Sequence, residues 1–267
     1  MPESKKFGVM RNASRIWAIG AVHGDAVRLS ALHQKLATKI HFGDRLVYLG
    51  DYLGHGAKIR ETLDELIRFR RLFLTIPPFM DATDVVYLRG GQEEMWHKLL
   101  QLQLSITRID TLDWMLSRGV EQTLLAYGGD VTQGRAAARD GTMALSQWTR
   151  ALRVTFNAAP GHSALMSALK RAAYTEDRRL LFVNTGLDAT HPLDDQTDSF
   201  WWAGRSFASI ETPFDGFTRL FRGFDPDHGG FVENDIYTTL DGGCGFGGSL
   251  IAACLSPNGD LLERLEV

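Results

Sequence analysis

The hydrophobic pattern of this chain is punctuated by three short apolar runs that stop on glycine and give way to a helix-periodic stretch. They read RIWAIGAVHGD at 15–25, DRLVYLGDYLGHG at 44–56 and DVVYLRGGQEE at 84–94. A short apolar run closed by glycine and a polar residue is how a parallel strand delivers a side chain to the open edge of a sheet. In the second run Leu46, Val47, Tyr48 and Leu49 stop at Gly50 and Asp51, and a loop with Gly54 and Gly56 leads into a helix expected over 58–73. After the first run, Leu29, Leu32 and Leu36 give 26–38 a helical apolar stripe, with Asp25 where an N-cap belongs. The three strand ends should converge on one place, outside the carboxyl ends of the strands, where α/β sheets put their sites.

From 94 to 176 the period is helical: 95–104, 111–116, 120–126, 143–153 and 163–174 are expected helices, and the Gly- and Ala-rich 127–139 a loop. The remainder alternates as strands do, at 180–183, 218–221, 236–240, 249–255 and 261–265, with Asn258-Gly259 as the hairpin signal between the last two. Trp96, Trp114 and Trp148 recur on helical faces and are expected in the core. The pattern contains no low-complexity segment.

Composition narrows the classes. The chain has 267 residues, of which 44% are hydrophobic, enough for a large core in one or two domains. A net charge of −3 argues against a nucleic-acid or anionic-membrane surface as partner. No run approaches the ~18 apolar residues of a membrane span. Cys244 and Cys254 have neither disulfide-framework nor zinc spacing and suit a reducing, cytoplasmic compartment. Residues 1–14 read as a tail, basic but without the apolar stretch of a signal peptide.

In order and separation, these stretches resemble the calcineurin-like metallophosphoesterases, most closely their bacterial phosphoprotein-phosphatase-type branch. That family writes G-D-x-H-G, G-D-x-x-D-R-G, R-G-N-H-E, V-H-A-G and G-H-T-P. This chain has GAVHG at 20–24, GDYLGHG at 50–56, RGGQE at 89–93, VNTG at 183–186 and RGFDP at 222–226, then the Gly-rich LDGGCGFGGSLIAACL at 240–255. The resemblance implies one domain over 15–267: a four-layer αββα sandwich of two mixed β-sheets flanked by helices, with a helical insertion over about 94–176. It also implies two divalent metals (manganese, iron or zinc) bridged by an aspartate, a histidine acid oriented by an aspartate, and arginines that clamp phosphate.

Carried over residue by residue, the bridging aspartate is Asp51 and the first-motif histidine His23. Ala21 stands for an aspartate, Gly91 for the asparagine ligand, Gln92 for the acid, Gly54 for its orienting aspartate and His55 for the following arginine. Asn184 and Arg222 stand for histidine ligands, and Phe224 for the second histidine of the G-H-T-P region. Arg89 and Glu93 are kept, and Arg205, in DSFWWAGRSF, resembles a substrate-contacting arginine. Gln92 cannot donate a proton as an acid does, and Arg222 would repel a metal.

Two readings follow. In the first the chain is a pseudophosphatase, with no metal expected, that binds a protein partner or a phosphorylated ligand through Arg89, Asn184, Arg205 and Arg222 around the remnant pocket of His23, Asp51, His55 and Gln92. In the second it is an active metal-dependent phosphoesterase, a Ser/Thr protein phosphatase or dinucleoside polyphosphate hydrolase, with metal on His23 and Asp51. Each residue also has a structural reading. His23 suits a hydrogen-bonded pocket histidine. Asp51 suits a carboxylate that accepts N–H bonds or pairs with Arg222, whose guanidinium should then fill the space of a metal. Arg89 can pair with Glu93 or Glu94 or bind an anion at a helix start. His55, His191 and His228 lie in expected loops and should be solvated.

Overall fold

The structure, a computed structural model, describes residues 6–77 and 80–267. Among them two mixed sheets lie face to face. One holds β2 (Arg15–Ile19), β3 (Asp44–Tyr48), β4 (Val85–Tyr87), β10 (Ile251–Leu255) and β11 (Leu261–Glu266), in the order β11-β10-β2-β3-β4. The other holds β1 (Phe7–Met10), β5 (Ala172–Thr175), β6 (Leu180–Val183), β7 (Arg219–Arg222), β8 (Phe231–Glu233) and β9 (Tyr237–Leu240), in the order β1-β5-β6-β7-β9-β8.

Side-chain alternation builds the layers. Successive residues of a strand point to opposite faces. Val47 and Leu49 therefore face the other sheet, and Leu46 and Tyr48 face the helices α1 (Ala26–Ala37) and α2 (Ile59–Leu74). Leu180 and Phe182 likewise enter the space between the sheets, where Phe182 stacks on Phe221 with ring centroids 4.9 Å apart. Leu181 and Val183 face outward to Phe200, Trp201 and Phe207 on α9 (Ser199–Trp202) and α10 (Gly204–Phe207). Helix, sheet, sheet and helix are thus four layers holding three apolar cores. Asp25 caps α1 as expected, its Oδ1 accepting from the Arg28 N–H at 3.0 Å.

The insertion carries α3 (Gly91–Leu99), α4 (Arg108–Met115), α5 (Glu121–Ala126), α6 (Val131–Asp140), α7 (Thr142–Ala158) and α8 (His162–Ala168). Four expectations need correction. Residues 7–10, assigned to a tail, form β1, which pairs in parallel with β5; residues 1–5 lie outside the described residues. Residues 172–175 are β5 rather than the end of a helix. Both strands are four residues long and owe their state to partners far away in sequence, which local periodicity cannot register. Residues 131–140, expected in a loop, are α6: Asp130 caps it and its alanines favour helix despite Gly134. Trp114 is 41% exposed rather than core, and packs edge-on against Trp202 with centroids 5.5 Å apart.

No helix of the described residues is long and apolar enough to cross a membrane. Phe182→Ala should cost about 3–5 kcal/mol in chemical denaturation, because it opens a cavity between the sheets. Ile106→Ser, on a side chain 99% exposed, should stay within about 0.5 kcal/mol in the same assay.

Candidate functional site

The loops that follow β2, β3 and β4 meet at one edge of the sandwich, and backbone hydrogen bonds stitch them together. His23 and Val22 donate to the Asp51 carbonyl at 2.7 and 3.1 Å, and Ala21 donates to the Gly223 carbonyl beyond β7 at 3.0 Å. Glu93 fixes the arrangement. Its fully buried carboxylate accepts four backbone N–H groups, from Asp51 and Gly90 on Oε2 at 2.9 and 2.8 Å and from Tyr52 and Leu53 on Oε1 at 2.8 and 3.0 Å. The start of α3 is thereby clamped to the loop after β3. Gly90 permits the approach, because a Cβ there would lie 2.3 Å from the Asp51 nitrogen.

Inside this clamp Asp51 is 2% exposed and sits in the left-handed region at φ 55°, as do His23 and His55 at φ 48° and 46°. Three non-glycine residues in that region around one pocket are strained backbone held in place by its surroundings. Both Asp51 oxygens are engaged: Oδ1 accepts from the Gln92 N–H at 2.8 Å and Oδ2 from the Asn184 amide nitrogen at 2.9 Å. Asn184, wholly buried, also donates to the Leu49 carbonyl and accepts from the Gly91 N–H and the Thr185 hydroxyl. Burial pushes the Asp51 carboxyl up against the pull of the Gln92 and Asn184 hydrogen bonds. Burial, and then the neighbouring Asp51 charge, push Glu93 up to about 7 against its own N–H donors.

A cavity of about 650 Å³ opens above, lined by His23, Asp51, His55, Gln92 and Arg205 together with Arg118, Trp202, Phe224, His228 and Phe246. His23 is 1% exposed, and neither ring nitrogen has a hydrogen-bond partner, although the Leu53 backbone lies near enough to act on it. Burial lowers its pKa to about 4; burial and then His23 lower that of His55 to about 4. The insertion supplies a wall. The Gln92 amide donates to the Arg118 carbonyl at 2.7 Å, and His55 donates its N–H to Gly119 at 3.2 Å. Gly119, at φ 95°, packs on the His55 ring and lets the chain turn there. A second cavity of about 480 Å³, between the sheet edges at β1 and β4, contains none of these groups.

The structure thus gathers His23, Asp51, His55, Gln92, Arg205 and Asn184, and leaves out two arginines. Arg89 bonds Glu94 at 3.0 Å, one of its two expected structural partners, and does not line the cavity. Arg222 does not reach for Asp51. It bonds Thr239, the Gly204 carbonyl and Asp225, the last at 3.0 Å, and lies over the Phe207 ring. Strand alternation explains this: Phe221 faces the space between the sheets, so Arg222 faces the helix layer, and it is Phe224, beyond the strand end, that enters the cavity. His55 and His228 are not solvated as expected. Both pack on Phe246, and His228 bonds Asp241 at 2.9 Å; His191 is exposed. Sequence reading missed Arg118, Trp202 and Phe246 as lining residues; a lone phenylalanine among five glycines at 242–248 was the available signal for the last. Among the described residues no three His, Cys, Asp or Glu side chains are grouped to hold a metal.

No protein-family model matches the chain, and no curated protein matches it by sequence. Solved structures do. A candidate diadenosine tetraphosphatase is 17% identical with a TM-score of 0.56, over 98% of this chain and 97% of the other. A protein serine/threonine phosphatase from Saccharomyces cerevisiae and a cold-active protein tyrosine phosphatase are each 13% identical with a TM-score of 0.53. Both cover 98% of this chain, and 82% and 81% of their own. At these identities the likeness is one of fold, and it agrees with the two-sheet sandwich that the resemblance to calcineurin-like metallophosphoesterases implied.

The raised Glu93 carboxyl favours the folded state fully below its unfolded pKa, and that contribution is lost as pH rises through about 7; the raised Asp51 carboxyl acts in the same direction. Asp51→Asn removes one of the two like charges. Between pH 5 and 8, chemical denaturation should therefore show the variant gaining on the wild type by on the order of 2 kcal/mol. A pH-independent difference would mean that neither the burial of Asp51 nor its charge beside Glu93 raises a carboxyl pKa here.

Proposed function

We propose that this chain binds a phosphorylated ligand, free or carried on a partner protein, in the cavity above Asp51, and does not hydrolyse it. The observation that carries this reading is the Asn184 amide nitrogen 2.9 Å from Asp51 Oδ2, with the Gln92 N–H on Oδ1. A carboxylate that bridges two metals turns its lone pairs to the cations; here each Asp51 oxygen already accepts a donor, so the protein itself supplies positive ends there. Of the other ligand positions, Ala21, Gly91 and Phe224 offer no donor, and His23 is enclosed by aromatic rings. Hard divalent cations need several oxygen or imidazole ligands, so this set does not fit the pair of metals the fold family implies. Gln92, where an acid would be required, spends its amide holding the insertion in place.

The ligand class follows from charge. Arg118, from the insertion, and Arg205, from α10, both line the cavity, and among the described residues neither forms an ion pair with a carboxylate. Asp51, the carboxylate at the floor, is already satisfied. Both arginines are exposed at the cavity's border, the Arg118 guanidinium 5.8 Å from the Trp114 ring centroid, and a pair of such groups suits the oxygens of a phosphoryl group. Diadenosine tetraphosphatase, protein serine/threonine phosphatase and protein tyrosine phosphatase are all activities on phosphorylated substrates, which favours such a ligand here.

The test pairs binding with turnover. Inorganic phosphate should quench tryptophan fluorescence saturably, and Arg118→Ala or Arg205→Ala should weaken its binding by about tenfold or more. With manganese present, hydrolysis of a chromogenic aryl phosphate should be no faster than with a His23→Ala, Asp51→Asn double variant purified in parallel. Manganese-dependent turnover that disappears in that variant would instead identify an active phosphoesterase.

A further inference from the structure

Phe246 stands in the loop between β9 and β10 with Gly242, Gly243, Gly245, Gly247 and Gly248 around it. Its side chain is 45% exposed, yet its ring fills a place in the cavity wall. The ring centroid lies 4.2 Å from that of His55, 4.3 Å from His228 and 5.1 Å from His23. Phe224 completes the set, 5.0 Å from His23 and 5.4 Å from His228. The cage is therefore made of rings and holds a ring. Behind it lies His23, whose two buried nitrogens have no hydrogen-bond partner. A buried polar group left in that state is costly and uncommon, and an incoming ligand could satisfy it.

The loop separates a fixed base from its tip. Ser249 donates its N–H to Gly242 at 2.8 Å, Gly248 to Gly243 at 2.9 Å, and the Cys244 thiol to the Val22 carbonyl at 3.2 Å. Gly245 is pressed against the His23 side chain. Gly247, at φ 93°, has open space where a side chain would be. The Phe246 backbone N–H donates to the Gly243 carbonyl at 3.0 Å, so its ring would leave the cage by side-chain rotation, with the base of the loop in place.

We propose that this cage is a subsite for an aromatic ring and that Phe246 is its built-in occupant. The ligand is then an aryl phosphate, whose ring replaces the Phe246 phenyl while its phosphoryl group meets Arg118 and Arg205. The inference rests on the anion-binding reading of the same cavity and adds the chemistry of the group that carries the phosphate. An aryl ring offers the offset and edge-on contacts that the phenyl now makes. Its ester oxygen, unlike any atom of phenylalanine, can accept a hydrogen bond from an imidazole N–H.

Calorimetry with phenyl phosphate, glycerol phosphate and inorganic phosphate tests this on wild type, Phe246→Ala and Arg118→Ala. Phe246→Ala, at a half-exposed position, should strengthen phenyl phosphate binding about tenfold and leave the other two within about twofold, whereas Arg118→Ala should weaken all three. In parallel, diethyl pyrocarbonate should modify His23 slowly in wild type and rapidly in Phe246→Ala, with phenyl phosphate protecting the variant. Inorganic phosphate that binds, with phenyl phosphate no tighter in Phe246→Ala, overturns the aryl subsite alone. Failure of all three compounds to bind removes the anion site and the aryl subsite with it. Equal labelling of His23 in both proteins shows that Phe246 does not cover it.

Discussion

A single buried carboxylate, Glu93, holds the centre of this molecule together. Four backbone N–H groups converge on it, three from the loop after β3 and one from the start of α3. Neither segment could be buried otherwise, because the loop is irregular and its amide groups have no strand partner. The clamp sets where Asp51 stands and supports its left-handed backbone, and the Gln92 N–H then meets Asp51 from the same helix start. The resulting juxtaposition of two buried carboxylates is electrostatically unfavourable, and it persists because both are held by hydrogen-bond donors, four on Glu93 and two on Asp51. Everything above it inherits this rigidity: the insertion is fastened through Gln92 to Arg118, and the Gly-rich loop is seated on His23.

Much of the frame was legible in sequence, and the reasons are local. Leu46 to Leu49 stopping at Gly50 is a strand end on any reading, and the five motif positions appear in the order and spacing of one fold. What escaped notice depended on distant partners. β1 and β5 pair with each other across the whole insertion, and nothing within either four-residue stretch announces that. At the site, spacing placed His23, Asp51, His55 and Gln92 in one pocket, and a shift of two residues misplaced the pocket's far wall. Arg222 is on the outward face of β7, and Phe224, two residues on, reaches the cavity because the strand has ended and the chain has turned. The partners of Asp51 were also opaque. That an asparagine amide nitrogen would face it follows from the three-way bonding of Asn184 with Leu49, Gly91 and Thr185, which only the packed structure displays.

The fold shared with solved phosphatases thus comes with its loops converging, its clamp in place and a cavity above it, while the groups that meet in that cavity are hydrogen-bond donors, imidazoles and aromatic rings. On the proposed reading, the Asn184 and Gln92 donors give Asp51 what a pair of cations would otherwise give it. That is the central claim, and titration calorimetry of the full chain with manganese tests it most directly. The account predicts no saturable heat at micromolar metal, in wild type and Asp51→Asn alike. One or two manganese ions bound per chain with micromolar affinity, lost in Asp51→Asn, would show that the Asn184 and Gln92 donors yield to metal and would contradict it.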